Sequence, residues 1–132
     1  MRRAVALLPL LCSLVLGCGS SSPTNTHVPT PQEPWPELKA LNEMVLTYAP
    51  MILQGSGDGG ARKSKTKIEE VAKAFLDNPV PDWYQQHAGE KVEVVKKNTQ
   101  NFLSALEGTD NAKLKDDTRT LAMSIVHIPM LD

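Results

Sequence analysis

Cysteine is nearly absent from this chain. Its 132 residues include two, Cys12 and Cys18, and none after residue 18. Whatever folds downstream therefore has no disulfide, no thiolate metal ligand and no thiol nucleophile, and core packing alone must hold it together. Aromatic residues make up only 5% of the chain, so Leu, Val and Ile must supply most of any core. Strand patterns are missing too. Val92 to Val95 comes nearest, and it lies inside a helical period. Positive charge is not in excess: 14 Lys and Arg stand against 15 Asp and Glu, for a formal net charge of −1. That balance carries no nucleic-acid footprint. The longest apolar run, Ala4 to Leu16, is interrupted by Pro9 and Ser13 and falls short of the ~20 residues a membrane-crossing helix needs.

What is present begins with that run. Arg2 and Arg3 form a positive start, the apolar stretch follows, and small residues surround a cysteine in Gly17-Cys18-Gly19. A charged start, a short apolar segment and a small residue at its end read as a secretory signal over residues 1–17. The stretch Leu14-Val15-Leu16-Gly17-Cys18 resembles the lipobox of bacterial lipoproteins. That resemblance implies cleavage before Cys18 and a thioether-linked diacylglycerol on its sulfur. The expected location is the cell envelope, lipid-anchored and facing the periplasm or the cell surface. Without Arg2 and Arg3 the formal charge goes from −1 to −3. No polybasic patch is left for a membrane surface, so membrane attachment must come through the lipid on Cys18.

Residues 18–34 read as a linker. Gly19 to Pro34 carries Ser, Thr and the prolines Pro23, Pro29, Pro31 and Pro34, with Val28 its only aliphatic side chain. Such a segment cannot bury enough apolar surface to fold, and its prolines make it extended and semi-stiff. From Trp35 the period turns helical. Leu38, Leu41, Val45, Tyr48 and Ile52 fall on one face, with Pro36 in the first turn and Pro50 expected to kink or end the helix near Ala49. A glycine-rich loop, Gln54 to Gly60, leads to a second stripe of Ile68, Val71, Ala72, Phe75 and Leu76, where Thr66 and Glu69 suit a capping box. Asn78-Pro79-Val80-Pro81 ends it. Asp82 with Gln85 is an N-cap signal for a third helix with Ala88, Val92, Val95, Thr99, Phe102 and Leu106, in which Gly89 invites a break near Ala88. Asp110 caps a fourth, with Leu114, Thr118, Leu121, Ile125 and Ile128, stopped by Pro129. Four amphipathic helices joined by short turns predict an all-α domain over residues 35–132, a small antiparallel up-down-up-down four-helix bundle behind the signal peptide and disordered linker.

Candidate chemistry is sparse. Gly55 to Ser64 has two glycines at phosphate-loop spacing, but Ala61 and Arg62 stand where Lys and Ser are required, and no strand precedes. It reads as an inter-helix loop. His27 lies in the linker. His87 with Glu90 and Glu93 reads as a surface ion pair rather than a metal site. Di-iron bundles use Glu-x-x-His, and here Tyr84 precedes His87 by three and Ser124 precedes His127 by three. No metal ligand set is assigned. Ser56 has no hydrolase elbow around it, and Glu69, Glu70, Glu90 and Glu93 sit among lysines as an exposed face would. Trp83-Tyr84 is expected to close one end of the core. His127 suits a helix C-terminus, where a cation complements the dipole.

The layout from Trp35 to Ile128 resembles the soluble b-type cytochromes and the cytochrome c-prime group, small exported four-helix bundles with haem near one end. The b-type relatives use a methionine on the first helix and a histidine on the last. In this chain that implies Met44 or Met51 with His127; the Cys-x-x-Cys-His motif of the c-prime group is absent. The residues themselves favour a non-catalytic lipoprotein module with no cofactor and an unidentified protein partner. The alternative is a cytochrome-like bundle that binds haem or a metal for electron transfer.

Overall fold

In a computed structural model, residues 29–55, 58 and 60–131 are described. Four α-helices carry the fold: α1 Pro36–Gln54, α2 Lys65–Asp77, α3 Asp82–Glu107 and α4 Asn111–Ile125, with a 3-10 turn, Arg62–Ser64, leading into α2. The described residues contain no strand. The architecture is the all-α up-down-up-down bundle that the four apolar stripes predict.

Each stripe buries the face it marks. On α1, Leu38, Leu41, Val45 and Ile52 are buried and Tyr48 packs half-buried beside them. Pro36 opens the helix, where its missing N–H is one of the unpaired donors anyway. Pro50 does not end it: α1 runs on to Gln54. Proline removes the N–H that would meet the Leu46 carbonyl, but Leu46 is 66% exposed and Pro50 is exposed, so water reaches that carbonyl. Ala49 and Ile52, both buried, hold the last turn against the core.

The Thr66–Glu69 capping box does not form. The helix starts two residues earlier than that cap would set it, at Lys65, straight from the 3-10 turn and without a side-chain cap. Glu69 instead lies between Lys65 and Lys73, at 3.4 and 3.8 Å. Gly60 ahead of the turn has φ +83°, a left-handed conformation that favours glycine.

At the start of α3 the expected cap is displaced. Asp82 is the first helical residue, exposed, and makes no cap. The open N–H of Trp83 donates instead to Glu33 Oε1 at 2.6 Å, fifty residues back along the chain. The break near Gly89 is real: Ala88 has φ −139° and ψ 15°, outside the helical range, so α3 is a short first segment joined at a kink to a long second one. Asp110 caps α4 through Lys113 N at 3.0 Å. The apolar stripe reaches Ile128, but α4 ends at Ile125. The residue before a proline avoids the helical region, so the chain tightens into a turn and Ile128 is buried beyond the helix.

The two ends of the bundle show the direction of every helix. At one end, Trp35 before α1 stacks on Phe75 near the end of α2 and meets Tyr84 at the start of α3 at a tilt of 57°, with ring centroids 5.3 and 4.9 Å apart. Met130, beyond α4, packs against the same core. At the other end, Lys65 opening α2 meets Glu107 closing α3 at 3.7 Å. Arg62 Nε donates to Gly108 O at 2.8 Å, and its Nη1 bonds the Asn111 side chain at the start of α4. α1 packs on α2, α2 on α3, α3 on α4 and α4 on α1, closing the ring. The core between them is apolar, with Phe102 among its aliphatic side chains, except for two buried threonines. Thr99 and Thr118 satisfy their hydroxyls on the carbonyls one turn back, Val95 O and Leu114 O.

Packing begins ahead of Trp35. Pro31 is buried and Glu33 caps α3, so the last residues of the expected linker belong to the folded unit. The signal, Cys18, His27 and the linker up to Val28 lie outside the described residues.

Candidate binding groove

The residues proposed as haem ligands are not brought together. Met44 is buried on α1, and its edge reaches a groove it shares with Tyr48, Lys67 and Val71 between α1 and α2. Met51 is 42% exposed near the end of α1 away from Trp35. His127 is not on α4 but in the turn after it, exposed, on the α3 side at the Trp35 end. Among the described residues, His127 and Met51 are exposed rather than turned to the core that holds Met44.

His87 is exposed and turned to its own helix. Its ring stacks on Trp83, with centroids 4.7 Å apart, and its Nδ1 lies 2.9 Å from Trp83 O. Glu90 and Glu93 are exposed. Among the described residues, no group of three or more His, Cys, Asp or Glu side chains could hold a metal ion. Trp83 and Tyr84 do close the core end, at 7% and 1% exposure. Burial raises the Tyr84 phenol above its usual pKa, and the negative charge of Glu33 raises it further. In the former glycine-loop candidate, Arg62 is occupied within the fold, tying α2 to Gly108 and Asn111, with Asp58 3.5 Å away.

What the structure adds is a groove of about 580 Å³ between α3 and α4. Lys91, Val94 and Asn98 line it from α3, spaced so that they share one side of the helix. Arg119, Thr120, Met123 and Ser124 line it from α4, and His127 stands at the end where α4 turns. Val94 is 52% exposed and Met123 59%, large apolar side chains that no described residue covers. The charged members are all basic. Arg119 has one acidic neighbour, Asp116 at 3.2 Å on the same helix. The Ser124 hydroxyl donates back to Leu121 O of its own helix at 2.8 Å. The groove thus offers an apolar floor between cationic edges, an arrangement suited to contact and charge pairing.

The linear sequence does not mark it as a unit. Val94 lies in the β-like patch Val92 to Val95, and Met123 belongs to no motif. The signal was there in a weak form: both fall off the buried stripe of their helix, as surplus apolar residues on an otherwise polar side.

Against protein-family models, curated proteins and solved structures, the chain gives no match.

Proposed function

We propose that this chain is the precursor of a lipid-anchored lipoprotein of the bacterial cell envelope, whose helical bundle is a non-catalytic binding module held off the bilayer by a proline-rich leash. The observation that carries the reading is the run Leu14-Val15-Leu16-Gly17-Cys18 behind a charged, apolar signal. Three further features support it. The segment from Gly19 to Val28 has the composition of a spacer. Among the described residues no helix is long and apolar enough to cross a membrane, and in this reading the lipid on Cys18 makes the attachment. The α3–α4 groove supplies a surface on which such a module can act.

Leu16, bulkier than the small residue usual two places before a lipobox cysteine, makes the cleavage position the point to test. Mass spectrometry of the protein from bacterial membranes should give a first peptide that begins at Cys18 and carries the diacylglyceryl mass. Cys18→Ala should abolish the modification and release the protein from the membrane fraction. An unmodified peptide that starts anywhere else would overturn the reading.

A further inference from the structure

We propose that the groove between α3 and α4 binds a single-chain anionic amphiphile of the fatty-acid class. The floor is apolar, formed by Val94 from one helix and Met123 from the other. Both side chains are more than half exposed, so an apolar occupant would remove from water a surface that the fold leaves wet. The volume, about 580 Å³, falls in the range of small-molecule sites. Its shape is a trough along two packed helices. A rod-like chain can lie along it, between Lys91, Val94 and Asn98 on α3 and Arg119, Met123 and Ser124 on α4.

The edges specify the charge of the head. Lys91 and Arg119 are exposed on opposite sides, His127 stands at one end, and no carboxylate lines the groove. The chain carries a net negative charge, so this cationic rim is a local departure from its background. The Arg119 side chain is 62% exposed, and its contact with Asp116 uses one terminal nitrogen, leaving donors for a carboxylate. A second copy of the chain would bring the same basic rim against itself, which disfavours self-pairing here. The site does not depend on lipid at Cys18, so the two proposals can fail separately.

The test uses the chain from residue 18 onward with Cys18→Ser, which keeps every core residue and removes the apolar signal as a competing site. Dodecanoate is titrated below its aggregation range while the methyl resonances of Val94 and Met123 are followed. Saturable shifts confined to the α3–α4 side are expected. Dodecyltrimethylammonium, with the same chain and opposite head, should bind far more weakly. Lys91→Glu with Arg119→Glu should weaken dodecanoate about tenfold, since two exposed attractions become repulsions. Met123→Glu, at an exposed position, should abolish binding, and circular dichroism should show both variants folded. The proposal is overturned if dodecanoate gives no saturable shift, if the cationic amphiphile binds equally, or if the folded variants bind as the parent does. It is also overturned if only anionic phospholipid vesicles shift these resonances, which would make the face a membrane-contact surface instead.

Discussion

At the scale of single residues, the most consequential contact is Glu33 on the amide of Trp83. A helix start leaves its first N–H groups without partners, and α3 meets one of them with a carboxylate from a distant part of the chain. The same carboxylate sits close enough to Tyr84 to raise its pKa, second to burial. Two effects should therefore move together in Glu33→Ala. Loss of the cap should cost about 1 kcal/mol, read from urea unfolding. The Tyr84 titration, followed by tyrosinate absorbance in a Tyr48→Phe background, should shift to lower pH. The sign of the pH dependence follows from the raised phenol. A group whose folded pKa lies above its unfolded value contributes stability fully below the unfolded pKa, about 10 for tyrosine, and loses it as pH rises through the folded one. The bundle should accordingly weaken under alkaline conditions, and a flat stability profile above pH ~10 would contradict this assignment.

Elements show how much a linear reading can see. The apolar stripes identified all four helices because 3.6-residue periodicity is local. Gly89 marked the break at Ala88, and Asp110 its cap, for the same reason: the cause sits within a turn of the effect. Three features were hidden because their causes are not local. α1 passes Pro50 because tertiary packing of Ala49 and Ile52 outweighs the lost hydrogen bond. The cap on α3 comes from Glu33, and no spacing rule connects residues fifty apart. The groove needs α3 and α4 side by side before Val94 and Met123 share a floor. The kink offers its own test. A Cβ at Gly89 would meet nothing within 4 Å. Gly89→Ala should then stabilise α3 by up to about 1 kcal/mol, seen as a higher melting temperature. A fall in melting temperature would mean that α3 depends on the freedom of glycine at this point.

The whole molecule is one small core with no covalent staple among its described residues, so its two ends must be closed by side chains. The Trp35 end is closed by packed aromatics. The opposite end is closed by polar reach, chiefly Arg62 across to Gly108 and Asn111, with Lys65 to Glu107 beside it. These ends should not be equivalent. Arg62→Ala leaves the Gly108 carbonyl and the Asn111 amide to water and should cost about 1–2 kcal/mol. Hydrogen exchange should show the loss concentrated in the first turn of α2 and the turn between α3 and α4. Uniform loss across the bundle would argue that Arg62 supports the core rather than its end.

The seating of Pro31 to Trp35 also has a mechanical meaning. A pull on the chain ahead of Pro31 does not arrive first at the opening turn of α1. It meets Pro31 in its buried seat and Glu33 on α3, then Trp35 wedged between Phe75 and Tyr84. The load falls on contacts with α2 and α3 before α1 can be peeled away. On a chain anchored as proposed, the last residues ahead of α1 would act as a strain relief, separating the tension on the tether from the integrity of the body it holds.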